Sequence, residues 1–123
     1  MFNAMFPELH VSDCEAAAEF FEKALGYHRG YTLMEGGHLD FAVMKHADDG
    51  LELMLHRMLP ASESNKPRSV RVYYELTDIH NFCAQLRSNG FAVTDPQATS
   101  YGATAAQLVG PDGYEIHFQQ WNH

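Results

Sequence analysis

The sequence predicts an α+β fold: two tandem βαβββ units form a curved mixed sheet around a concave pocket, with the helices on the outer face. Three observations carry that expectation. The turn signal Pro111-Asp112-Gly113 is followed by Tyr114, Ile116 and Phe118 alternating with Glu115, His117 and Gln119, the period-2 pattern of a half-buried strand. The same signature stands upstream, where Asp49-Gly50 precedes Leu51, Leu53 and Leu55 alternating with Glu52, Met54 and His56. The landmarks of the two halves also recur at a near-constant interval: Asp13 and Asp78 are 65 residues apart, Gly26 and Gly90 are 64, and Gly50 and Gly113 are 63.

Each element has its own local reason. Met5 to Val11 reads as a first strand, with Pro7 tolerable near its start. Ser12-Asp13-Cys14-Glu15 has the form of a capping box, in which serine and glutamate satisfy orphan N–H groups at a helix start. The helix then runs from about Asp13 to Leu25, with Ala17, Phe20, Phe21, Ala24 and Leu25 on one face and Gly26 as its stop. Three strands follow: Tyr27 to Met34, Leu39 to Lys45, and Leu51 to Arg57. Residues 58–69, with two prolines and three serines, read as a linker between unit one (about 1–57) and unit two (about 70–123). Unit two repeats the order: a strand from Val70 to Leu76, a helix capped by Thr77-Asp78 and ended by Gly90, then strands at Phe91–Thr94, Tyr101–Val109 and Tyr114–Trp121.

Composition narrows the function. At 123 residues and 46% hydrophobic content, the chain fits one globular domain that needs no metal or disulfide to hold a core. A net charge of −8 argues against nucleic acid and anionic membrane surfaces, because phosphate contacts need clustered Lys and Arg. Cys14 and Cys83 fall inside predicted helices and read as buried, reduced thiols. No apolar run approaches the roughly 20 residues that span a bilayer, and no secretory leader pattern opens the sequence. A cytoplasmic location is the expectation.

Alternation also assigns faces. Leu9, Val11, Leu51, Leu53, Leu55, Val72, Tyr74, Leu76, Tyr114, Ile116 and Phe118 go to the helix side. Phe6, Glu8, His10, Glu52, Met54 and His56 go to the opposite face in the first half, and Arg71, Tyr73, Glu75, Glu115, His117, Gln119 and Trp121 in the second. That second face mixes carboxylates, imidazoles, aromatics and a guanidinium. A packed core does not choose them, since unpaired buried charge is costly; a small-molecule pocket does.

The paired units, with HVSDCEAAAEFFEKALGY in the first and VGPDGYEIHF in the second, resemble the vicinal oxygen chelate superfamily. That superfamily includes glyoxalase I, extradiol dioxygenases and the fosfomycin- and bleomycin-resistance proteins. The resemblance covers essentially the whole chain and implies a homodimer, some members exchanging arms. It also implies a divalent metal held by four strand positions, two per unit, which here fall on Phe6, Met54, Arg71 and His117. Only His117 suits such an ion: phenylalanine has no donor atom, arginine carries no lone pair, and thioether sulfur prefers soft metals. The chain therefore looks most like the bleomycin-resistance branch, which binds and sequesters a drug without a catalytic metal. The expected ligand-binding residues are Phe6, Glu8, Glu52, Met54, Arg71, Tyr73, Glu115, His117 and Trp121, with no cofactor and no catalytic residue. The alternative is a metal-dependent lyase, isomerase or dioxygenase. It would use a divalent ion on an unorthodox set drawn from His10, His56 and His117 with Glu8, Glu52 and Glu115.

Overall fold

In a computed structural model, which describes residues 1–47, 49–58 and 70–122, the chain divides into two units, Met1–Lys66 and Pro67–His123. The predicted linker lies outside the described residues except for Met58, whose N–H bonds the Val11 carbonyl at 2.9 Å. The first unit contains β1 (Glu8–Val11), α1 (Cys14–Leu25), β2 (Tyr27–Glu35), β3 (His38–His46) and β4 (Glu52–Arg57), in sheet order β1-β4-β3-β2. The second contains β5 (Arg71–Glu75), α2 (Ile79–Ser88), β6 (Gln97–Ala98), β7 (Ala103–Val109) and β8 (Glu115–Trp121), in order β5-β8-β7-β6. Both are βαβββ units with the same strand order. In each, the first strand pairs in parallel with the last, and the remaining pairs are antiparallel.

The helix α1 forms because its twelve residues, CEAAAEFFEKAL, hold no proline, glycine or β-branched side chain. Its start differs from the expected capping box. Asp13, in extended backbone geometry, is the cap, and its side chain accepts from the Ala16 N–H at 3.0 Å. Glu15 is bound through both its oxygens by Arg29 of β2. Gly26 ends the helix in the left-handed region (φ 77°), where a β-carbon would be strained. Cys14, Ala17, Ala18, Phe21 and Leu25 are buried against the sheet, whose helix side supplies Leu9, Val11, Met44, Leu53 and Leu55. Phe20 and Ala24 are only half-buried.

In the second unit α2 buries Ile79, Cys83 and Leu86, and Phe82 packs against Phe118 with ring centres 4.9 Å apart. Ile116 and Phe118 are essentially inaccessible, and Tyr114 nearly so. Asp78 occupies the cap position but makes no side-chain cap bond; the Ile79 N–H donates instead to Gln120 Oε1 at 2.9 Å. The Pro-Asp-Gly turn is a single 3-10 turn, with Asp112 at φ 55° and Gly113 at φ 80°.

Three further expectations are corrected. Phe91–Thr94 is not a strand: the Phe91 N–H closes back on the Leu86 carbonyl at the end of α2, the Thr94 N–H makes a bond to the Gln107 carbonyl of β7, and the regular ladder with β7 begins at Gln97. Leu51 is exposed ahead of β4 rather than turned to the helix. Phe6 precedes β1, although the Pro7 carbonyl already accepts from the Met54 N–H.

Burial pushes the Cys14 thiol up to about 11, with the negative Asp40 adding to the effect, and raises Cys83 as well. Both are free thiols with little nucleophilic thiolate at neutral pH. Among the described residues no helix is long and apolar enough to cross a membrane.

Arg29 links the sheet to α1 by hydrogen bonds to Glu15 and Glu22, the latter at 3.1 Å. The guanidinium holds the Glu15 carboxyl below its ordinary 4.5, and its own pKa rises in turn. A depressed carboxylate adds stability above its unfolded pKa and loses it as pH falls through the folded value. Urea midpoints of wild type and Arg29→Gln are therefore expected to differ at pH 6–7 and to converge below about pH 4. Parallel curves down to strong acid would show that the clamp is electrostatically idle.

Candidate functional site

The parallel register of β5 and β8 sets Arg71 beside Glu115, Tyr73 beside His117 and Glu75 beside Gln119. All lie on the face opposite α2, because Ile116 and Phe118 point into the core and side chains alternate along a strand. Glu115 Oε1 is shared by two partners: Arg71 Nε at 3.3 Å and His117 Nε2 at 3.1 Å. The Tyr73 ring stacks on the His117 imidazole, centroids 4.7 Å apart and nearly parallel at 17°. Guanidinium, carboxylate, imidazole and phenol thus form one continuous row.

Further along the same face the Trp121 indole N–H donates to Glu75 Oε1 at 3.0 Å. Tyr101 sets its ring edge-on to Trp121 at 5.7 Å and donates its hydroxyl to Gln119 Oε1 at 3.1 Å. Tyr73, Tyr101 and Trp121 are 51%, 55% and 41% exposed, three large rings that each touch a polar partner. On β7 the register neighbours of His117 and Gln119 are Gln107 and the small Ala105. A hollow of about 320 Å³ opens there, lined by Thr94, Asp95, Gln97, Ala105, Gln107 and His117 among others. Another of about 340 Å³ lies at Glu75, Leu76, Thr77, Gln120 and Trp121.

In the first unit β1 and β4 place Glu8 beside Met54 and His10 beside His56. Glu8 Oε2 is 2.9 Å from His10 Nε2, and the two imidazoles meet edge-on at 5.7 Å. Phe41 packs on His56, and the Asp40 carboxylate is 3.8 Å from His56 Nε2. Glu52 stands beside Lys45 in the register.

Of the expected ligand-binding residues, Arg71, Tyr73, Glu115 and His117 are therefore one contact cluster. Trp121 belongs to a neighbouring cluster on the same sheet. Glu8 and Met54 are adjacent in the other unit, where Phe6 precedes the strand and Glu52 sits apart from the His10–Glu8 pair. Three residues outside that set also belong here. Glu75 and Gln119 were visible as members of the open face; Tyr101 lies before β7, where no periodicity flags it.

The residues at the four superfamily metal positions do not fit a hard divalent ion. Phe6 offers no donor and Met54 only a thioether, while Arg71 is a cation engaged with Glu115. His117 is the one suitable donor, and its Nε2 already faces Glu115.

Solved structures share the fold. A glyoxalase/bleomycin resistance protein/dioxygenase from Nocardioides is 25% identical over 100% of this chain and 87% of its own, with a TM-score of 0.76. A glyoxalase/bleomycin resistance protein from a Streptomyces species is 25% identical over 94% of this chain and 97% of its own, TM-score 0.69. An antibiotic binding protein from Streptomyces aligns with 99% of both chains at 24% identity and a TM-score of 0.74, a likeness of fold. Curated proteins give no significant match. The family profile described as Glyoxalase/Bleomycin resistance protein/Dioxygenase superfamily matches residues 5–118, and with both βαβββ units in place the chain belongs to that superfamily.

Proposed function

We propose that the protein binds a small aromatic cation and sequesters it chemically unchanged, without a catalytic metal. The observation that carries this reading is the row of half-exposed rings, Tyr73, Tyr101 and Trp121, set beside carboxylates on a sheet whose other face is a closed core. Ring faces attract a delocalised cation through their quadrupoles, by about 0.5–2 kcal/mol each. The carboxylates differ in what they offer. Glu115 is compensated by Arg71, whereas Glu75 is met by a neutral indole N–H and keeps its full charge for a ligand. Glu75 therefore replaces Glu115 as the residue that meets the positive group, and Arg71 and Glu115 hold the Tyr73–His117 stack in place. The net charge of −8 draws cations toward the protein. The antibiotic binding protein from Streptomyces has the same fold, an analogy at the level of fold that supports small-molecule binding. The reading includes a homodimer, which light scattering on the eluted protein checks.

Trp121 is the chain's single tryptophan, so its fluorescence reports on this face alone. Titration with a panel of planar polycyclic cations is expected to give saturable quenching with micromolar affinity. The ligand should be recovered intact by mass spectrometry after prolonged incubation. No quenching across the panel, or conversion of the ligand to a product, would replace sequestration with another activity.

A further inference from the structure

We propose that Glu8, His10 and His56 form a binding site for a borderline divalent transition ion such as zinc, nickel or copper. The site lies on the first unit's sheet and is distinct from the four superfamily positions. Among the described residues these three are the one set of histidine, cysteine or carboxylate side chains whose donor atoms all lie within 4.8 Å of one another. The arrangement follows from strand geometry. Glu8 and His10 are two residues apart and share a face, and the parallel register places His56 directly beside His10.

The donors fit the ion class. Two imidazoles and one carboxylate suit zinc, nickel, copper or iron, whereas magnesium and calcium demand more oxygen ligands than this set supplies. Donors sharing an ion at about 2.0–2.2 Å stand roughly 3.0–3.6 Å apart. His10 Nε2 and Glu8 Oε2 are already at 2.9 Å. The remaining distances close by side-chain rotation, for which there is room: the His10, Glu8 and His56 side chains are 48%, 38% and 45% exposed. Phe41 packed on His56 and Met54 beside Glu8 give the site an apolar flank, and Asp40, 3.8 Å from His56 Nε2, adds negative charge behind that imidazole. Three protein donors leave one position open in a tetrahedral ion and three in an octahedral one, available to water or to an oxygen donor of a ligand.

Isothermal titration of the untagged protein with zinc and with nickel tests the site, and cobalt(II) absorption reads the coordination. The expected result is one ion per chain at micromolar affinity. His10→Gln, His56→Gln and Glu8→Gln should each weaken binding at least tenfold, while the exposed His80→Gln and the addition of magnesium change nothing. These side chains are outside the core, so circular dichroism of the variants should match wild type. Absence of binding up to millimolar ion overturns the proposal, as does binding that survives both histidine variants or is lost in His80→Gln. The Trp121 titration reads the second unit, so this proposal and the sequestration reading fail separately.

Discussion

Replacing Phe118 by alanine is expected to lower the unfolding free energy by about 3–5 kcal/mol, the range for a fully buried aromatic whose cavity cannot collapse. Phe118 is 1% exposed and meets Phe82 of α2 at 4.9 Å and Tyr74 of β5 at 5.9 Å. It therefore joins the helix to the β5–β8 strand pair of its unit, and Tyr74 is held in place by the β5–β8 ladder. In the first unit Phe21 of α1 is the largest fully buried ring, inaccessible and edge-on to Phe20 and Tyr27 at 5.3 and 5.6 Å. Phe21→Ala should cost a similar amount. Against a total of about 5–15 kcal/mol for a domain of this kind, either change is a large fraction of stability. Urea denaturation followed by circular dichroism measures it. A loss under 1 kcal/mol with an unchanged m-value would mean that the core is not where the alternation of β8 places it.

That alternation was legible in the sequence because the strand carries its own punctuation. Gly110-Pro111-Asp112-Gly113 fixes the turn, and from Tyr114 to Phe118 every second residue is apolar. The strand at Phe91–Thr94 failed for a related reason. Phe91 and Val93 are half-buried and buried, so the period-2 signal was real, but it reported burial rather than a ladder. The Phe91 N–H closes α2 at the start of this stretch, and at its end the Thr94 N–H bonds the Gln107 carbonyl of β7 ahead of the regular ladder. At the start of α1, Ser12 and Asp13 are both good caps, and local chemistry does not choose between them. In the structure Asp13 takes the cap, while Glu15 is bound by Arg29, sixteen residues beyond Asp13.

The site divides in the same way. Which residues share a face follows from the period of a strand, so Arg71, Tyr73, Glu75, Glu115, His117 and Trp121 were all readable as neighbours of one surface. How they pair does not follow, because it depends on the register between β5 and β8, elements forty residues apart. Register gives Glu115 to Arg71 and His117 and leaves Glu75 to Trp121. In the proposed reading the positive group of a ligand is therefore met by Glu75 rather than Glu115.

Tyr73→Ala is expected to weaken binding of an aromatic cation by about 10- to 100-fold, or roughly 1.4–2.8 kcal/mol. The change removes a ring that is half exposed and held flat by His117, so the ligand loses a platform that costs it nothing to order. Glu75→Gln keeps the shape and one acceptor for the Trp121 N–H but removes the charge. It should weaken cationic ligands about tenfold and leave neutral aromatic analogues nearly unchanged. Arg71→Gln should have a smaller effect on either ligand, because that guanidinium compensates Glu115 rather than facing the bound molecule. Calorimetric titration of wild type and the three variants, with one cationic and one neutral ring system, separates these terms. A larger loss for Arg71→Gln than for Glu75→Gln would mean that Glu75 is not the residue that meets the ligand. Equal affinities in all four proteins would place the ligand elsewhere than on the β5–β8 face.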